Sequence, residues 1–281
     1  MKQKLDENIK KLLIEFYLIQ CKGWVKSQGK GTSAAGMTLE YLLGKKEDSK
    51  ALPDYYGIEL KTKLCTSNYP LRLFSAVLDN RPNVMNELYE KCSWKRTRNE
   101  GERELYDFIN STKFSNTHRK YAFKLKVNRL KRCVELLMYN NWNKVPVYND
   151  MSWSFDELEL RLTTKLSCLA IIHAWKMTLK ENNTDYFKYA NINLYQLKSF
   201  ENFIDLIEEG KIAVDLKLYP YYTGENKGKL RNRETTFVIN ESDISLLFDK
   251  IDIKLNDILK EIPKEAVSYT HLRAHETVLD L

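Results

Sequence analysis

Three residues in the stretch PDYYGIELK, at positions 53–61, have the types and spacing for metal-assisted hydrolysis of a phosphodiester: Asp54, Glu59 and Lys61. Such a reaction requires neutralised charge on a pentacovalent phosphate, a hydroxide formed near neutral pH and a stabilised leaving oxygen. Hard oxygen ligands holding Mg2+, for which Mn2+ can substitute, meet all three needs. On a strand, Glu59 and Lys61 lie two apart and face the same side, and Asp54 sits at the turn leading in. Asp54 and Glu59 are therefore the candidate metal ligands, with the Leu60 carbonyl as a third oxygen. Lys61 would position the attacking water or stabilise charge on the phosphate. The alternative is a solvated edge strand carrying an incidental Glu–Lys pair.

The flanking elements follow from apolar periodicity. Leu5, Ile9, Leu12, Phe16 and Ile19 recur at helical spacing and predict an amphipathic helix over 3–21, ended near Gly23. The glycine-rich SQGKGTSAAG at 27–36 predicts a flexible loop, in which Lys30, with Lys26 just before it, is a candidate grip on a polyanion's backbone. A second helix is expected over 37–43, closed at Gly44. Ile58, Leu60 and Leu64 alternate with Glu59, Lys61 and Lys63, a strand pattern whose charged face marks a site. Residues 81–150 are the most charged and least patterned part, with WKRTRNEGERE at 94–104 and a basic, β-like KYAFKLKV at 120–127.

Ser154 and Glu157 form a capping box for a helix reaching about Lys165, after which SCLAIIHAW at 167–175 reads as a buried strand. His173 in that strand reads as a core histidine, with a general base as the alternative. A helix is expected over 194–209, stopped by Gly210. The strands IAVDLKLY and TTFVI flank a connection rich in Gly and Lys, and Asn240 is expected to cap a last helix through Phe248. Alternating helices and strands predict an α/β fold.

Lys and Arg number 45 against 38 Asp and Glu, a net charge of +7 that favours a polyanionic partner; a lysine-rich surface kept for solubility is the alternative. The five cysteines stand singly with no CxxC pair, which argues for reduced packing residues and against a zinc site. No run approaches the roughly 20 apolar residues that span a bilayer, and the charged N-terminal stretch is unlike a secretory signal, so a cytoplasmic protein without membrane contact is expected. VSYTHLRAHET at 267–277 resembles a translated sequencing-library adapter. Residues 267–281 are accordingly expected to be a non-native tail, and the i, i+4 pair His271 and His275 carries no metal-site reading.

GWVKSQGKGTSAAGMTLEYLLG at 23–44, followed by PDYYGIELKTKL at 53–64, resembles the MvaI/BcnI and MutH families of endonucleases. Gly31, Thr32, Gly36, Thr38, Leu39, Glu40 and Gly44 fit the first half of the shared pattern; Asp54, Gly57, Ile58, Glu59, Leu60 and Lys61 fit the second. The resemblance implies a PD-(D/E)xK restriction-endonuclease-like core, a central mixed sheet flanked by helices, with an inserted lobe. In these terms 1–80 form the first part of the catalytic core, 81–150 the inserted basic lobe, and 151–266 the remaining core and DNA-recognition part.

The resemblance also implies that Glu40 is a further active-site carboxylate, its alternative being an exposed helix Glu, and places Lys165 near an active-site lysine, its alternative being a helix-end lysine. The stretch VDLKLYPYYTGENKGKLRNRETTFVI resembles one that approaches the duplex in MvaI/BcnI enzymes. Lys26, Lys30, Thr32, Lys227, Lys229, Arg231 and Arg233 are thus candidate DNA contacts, unless the last four are a solvated hairpin tip. Arg233-Glu234 stand where the family pattern has His-Gly, a departure bearing on the recognised sequence. The implied function is Mg2+-dependent cleavage of double-stranded DNA at a short specific sequence, by a monomer with a DNA methyltransferase as its genetic partner. A MutH-like nicking enzyme of mismatch repair and a catalytically inactive DNA-binding protein are the alternatives; the intact Asp54, Glu59 and Lys61 speak against the latter.

Overall fold

The computed structural model describes residues 2–44, 53–79, 83–95, 103–115, 119–148, 150–222, 224–253 and 258. The expected tail at 267–281 lies outside them. Helix α1 (Lys2–Cys21) is followed by β1 (Val25–Lys26), α2 (Ala34–Leu42) and β2 (Glu59–Leu64). Then come β3 (Leu71–Ser75), α3 (Val84–Cys92), β4 (Trp94–Lys95), β5 (Arg103–Ile109), β6 (Tyr121–Asn128), β7 (Cys133–Asn140), β8 (Val145–Tyr148) and β9 (Ser152–Ser154). Helix α4 (Phe155–Leu166) leads to β10 (Cys168–Leu179) and β11 (Thr184–Leu197). The chain continues through α5 (Phe200–Glu208), β12 (Ile212–Pro220), β13 (Leu230–Ile239), α6 (Ile244–Leu247) and β14 (Phe248–Lys250). No helix among the described residues is long and apolar enough to cross a membrane.

Two compact units share this path. One takes the described residues of 1–69, 164–197 and from 248 on; the other takes 70–163 and 198–247. In the first, a sheet of order β1-β11-β10-β2, with β14 also on β11, is mixed: β2 runs parallel to β10, and β11 is antiparallel to β10. Its two faces differ in chemistry. Leu60, Ala170, Ile172, Ala174, Phe187, Tyr189 and Leu194 face α1 and α2 and join Ile9, Leu12, Phe16 and Leu39 in one buried cluster. The opposite face carries Glu59, Lys61 and Lys63 of β2, which explains the charged alternation in that strand.

The second unit holds a five-stranded sheet of order β3-β13-β12-β5-β4 and a four-stranded one in which β7 pairs with β6, β8 and β9. The segment 81–150, poorly patterned in sequence, thus contains helix α3 and the five strands β4 to β8. In β5 the burial alternates strictly from Leu105 to Ile109, but the outward residues are the aromatics Tyr106 and Phe108 and the inward one between them is Asp107, which hid the period. Arg129, just after β6, bonds Glu201, Asp205 and Glu208 and so ties β6 to α5.

Three expected elements change their bounds. Helix α2 begins at Ala34, three residues before the expected start, because buried Ala34 and Ala35 allow close packing and the Tyr189 hydroxyl donates to the Ala35 carbonyl at 2.7 Å. The expected helix over 194–209 is strand to Leu197; α5 starts only after Ser199, whose hydroxyl accepts from the Asn202 amide at 3.1 Å. The helix expected from Asn240 through Phe248 is a 3-10 turn, the short α6 and then β14, and the Asn240 side chain makes no cap bond.

Candidate active site

The site starts with a tight turn. Tyr55 and Ile58 exchange both backbone hydrogen bonds at 2.8 Å, and the two residues between them, Tyr56 at φ 46° and Gly57 at φ 92°, both have positive φ. That is the signature of a type I′ hairpin turn, which suits glycine at its second central position. Tyr55 and Ile58 are buried, so the next positions outward, Asp54 and Glu59, face each other across the hairpin on the opposite side. Two acidic residues five apart in sequence are thereby brought to one place. Helix α1 holds the turn: Asn8 donates to the Tyr56 carbonyl at 2.9 Å, the Tyr55 hydroxyl donates to Glu15 at 2.8 Å, and the Lys11 ammonium lies 4.7 Å from the Tyr56 ring centre.

Glu59 is 1% exposed. Its Oε1 accepts from Lys61 Nζ at 2.6 Å and lies 3.4 Å from Lys165 Nζ, at the end of α4. Burial raises the Glu59 carboxyl above the usual range and nearby Asp54 adds to this, whereas Lys61 and Lys165 pull it back down. Asp54 Oδ2 accepts the Leu60 amide at 3.2 Å, which fixes its carboxylate beside the strand. The structure therefore brings together Asp54, Glu59, Leu60, Lys61 and Lys165.

The donor set has the chemistry of a divalent-cation site. Glu59 Oε2 is buried and has no hydrogen-bond partner, a costly state for a carboxylate oxygen unless something positive fills the space beside it. With Asp54 opposite, the donors are all hard oxygens and include no thiolate or imidazole, which suits Mg2+ or Mn2+. Among the described residues no group of three or more His, Cys, Asp or Glu gathers. Two carboxylates with remaining positions for carbonyl, water and phosphate oxygens is the economy Mg2+ favours, so the residues fit.

Glu40 is half-buried on α2, the helix packed beside β2. Lys26 is on edge strand β1, and Lys30 and Thr32 are exposed in the loop before α2. Thr38 pins that loop by accepting from the Gln28 amide at 3.0 Å. Lys227 and Lys229 are exposed in the β12–β13 connection, where Lys229 Nζ lies 3.2 Å from Asn226 Oδ1. Arg231 and Arg233 lie on β13, but their side chains are outside the described set. His173, expected in the core, lies half-buried at a β-bulge on the face shared with Glu59 and Lys61.

Sequence reasoning passed over one pair. Asp215 and Lys217 on β12 repeat the acid-x-lysine spacing of β2, with Asp215 fully buried and Lys217 Nζ 2.7 Å from its Oδ2. The motif VDLK was the available signal. Yet the residues level with Asp215 on the neighbouring strands are Thr236 and Phe108, neither of them a carboxylate.

Comparisons with known proteins identify the family. The family model of the MvaI/BcnI restriction endonuclease family matches residues 13–248. Among solved structures, a complex of restriction endonuclease MvaI with its cognate DNA substrate is similar at TM-score 0.78 and 28% identity, covering 85% of this chain and 96% of that one. MvaI in the absence of DNA is similar at TM-score 0.55 and 23% identity, covering 89% and 98%. No curated protein matches. With the family model spanning the turn, β2, Lys165 and most of the chain, the protein belongs to the MvaI/BcnI restriction endonuclease family, whose activity is endonucleolytic cleavage of DNA.

Proposed function

We propose that this chain is a cytoplasmic, monomeric enzyme that hydrolyses both strands of duplex DNA at a short specific sequence, using Mg2+ held by Asp54, Glu59 and the Leu60 carbonyl. The observation that carries this reading is the facing of Asp54 and Glu59 across one turn, with two lysines on one Glu59 oxygen. The cation, when bound, supplies Lewis acidity toward the phosphoryl oxygen and a water acidic enough to ionise near neutral pH. Lys61 orients the attacking water and Lys165 adds positive charge where the phosphorane develops. Glu40, from α2, serves as a further carboxylate beside this group. Lys26, Lys30 and Thr32 grip the backbone of the strand being cut. Lys227 and Lys229 contact phosphate, whereas Arg231 or Arg233 reads guanine in the major groove. A DNA methyltransferase of the same specificity is the expected genetic partner.

The test is incubation with methylation-free duplex DNA and mapping of the fragment ends. Discrete fragments are expected with Mg2+ or Mn2+ and none with Ca2+, whose larger and looser shell holds phosphate less tightly in line. Asp54→Ala should abolish cleavage and retain DNA binding; full activity in that variant overturns the assignment. Nicks confined to one strand would favour the mismatch-repair alternative. In the Asp54→Ala background, Arg231→Ala or Arg233→Ala should reduce discrimination between cognate and scrambled duplexes by about 1–3 kcal/mol if either reads a base. Unchanged discrimination in both variants would reduce the connection to a phosphate clamp.

A further inference from the structure

The face of the first unit's sheet that bears Glu59 and Lys61 does not end with them. Strand pairing carries it across β10, β11 and β1, and the register fixes which residues share it. Lys63 stands level with His173; one step further along β10, Trp175 stands opposite Lys188; one step beyond, Met177 and Tyr186 are level with Lys26 on β1. Trp175 is 48% exposed, and Lys188 and Lys26 are exposed. Away from the candidate ligands Asp54 and Glu59, no carboxylate occupies a described strand position on this face. The acid at this end of the sheet, Asp185, faces the other side, where it pairs with Lys176 at 2.8 Å.

Lysines thus recur along a diagonal from the catalytic strand to the edge strand: Lys61, Lys63, Lys188, Lys26. Eight strand residues separate the level of Glu59 from that of Lys26, about 26 Å at roughly 3.3 Å per residue. Successive levels are two residues apart, about 6.6 Å, or about two phosphates of duplex rise at 3.4 Å each. A solvated face kept only for solubility would have no reason to exclude Asp and Glu while keeping an aromatic such as Trp175 exposed.

We infer that this row is a track for the phosphate backbone of the duplex on one flank of the scissile phosphate, with Lys63, Lys188 and Lys26 on phosphates and Trp175 against the sugar edge. The inference rests on the nuclease reading and assigns that site a second, sequence-independent contact. An acidic protein surface is the competing occupant.

The experiment uses the full chain carrying Asp54→Ala, so that bound DNA stays intact, and measures duplex affinity across a salt series. Lys188→Ala and Lys26→Ala should each reduce the slope of log K against log salt by about 0.9, and the double variant by about twice that. Trp175→Ala should weaken binding without changing the slope. Lys22→Ala, an exposed lysine off this face, should change neither. Neutral methylphosphonates on the flanking phosphates should remove the same increment and leave Lys188→Ala without further effect. Unchanged slopes in both lysine variants, with the parent still binding DNA, would overturn the track and leave the nuclease reading standing. A parent chain that binds no duplex at all would sink both.

Discussion

Gly57 makes the pairing of Asp54 with Glu59 possible, and its cost of replacement can be isolated. A Cβ added there meets nothing within 4 Å, so substitution strains only the backbone at φ 92°. Gly57→Ala should therefore lower stability by about 1–2 kcal/mol and reduce cleavage far more than that loss of folded protein explains. Denaturant titration beside cleavage rates checks this, and wild-type rates in the folded variant would show that the turn does not set the carboxylate geometry. Lys61 and Lys165 both reach Glu59 Oε1, so their contributions should not add. A double-mutant cycle on cleavage rate with Lys61→Ala and Lys165→Ala should give a coupling of at least 0.5 kcal/mol; strict additivity would mean separate roles. The type and spacing of Asp54, Glu59 and Lys61 were readable in the sequence because a two-residue strand period is rigid. Lys165 entered through the family resemblance alone, since nothing local relates residue 165 to residue 59, and its convergence with Lys61 on one oxygen came only with the fold.

Elements were legible where one period dominated. Helix α1 was, because its apolar residues hold the 3.6 period from Leu5 to Ile19. The end of β11 was not: Leu194, Leu197, Phe200, Phe203, Ile204 and Ile207 keep helical spacing straight through the Ser199 cap, although the first two belong to a strand. The capping box at Ser154 was legible and is partly realised. Its hydroxyl accepts from the Glu157 amide at 3.4 Å while donating to Asp79 at 2.6 Å. Ser154→Ala should lower stability by about 1 kcal/mol, read as a shift in denaturant midpoint with unchanged slope. No shift would mean that Asp79, which also accepts the Ser154 amide at 3.0 Å, suffices to start α4.

At the scale of the molecule, charge and fold class were readable from composition and alternation, but the division into units was not. Each unit draws on separated stretches of chain, and composition carries no mark of which stretches meet. Deleting residues 267–281 should leave melting temperature and cleavage unchanged if that segment is adapter sequence; a melting temperature lower by several degrees would show that it contributes to the fold.

The parallel pairing of β2 with β10 has a consequence for synthesis. Among the described residues β2 has β10 as its neighbour, and β10 is translated only after the whole stretch 70–163 of the other unit. Pairings so distant in sequence form late, because the loop must close before the contact rewards it. A nascent chain that already contains Asp54, Glu59 and Lys61 has no sheet on which to set them, nor Lys165 to oppose the buried carboxylate. Translation products that stop before β10 are therefore expected to lack the strand and the lysine that complete the candidate site.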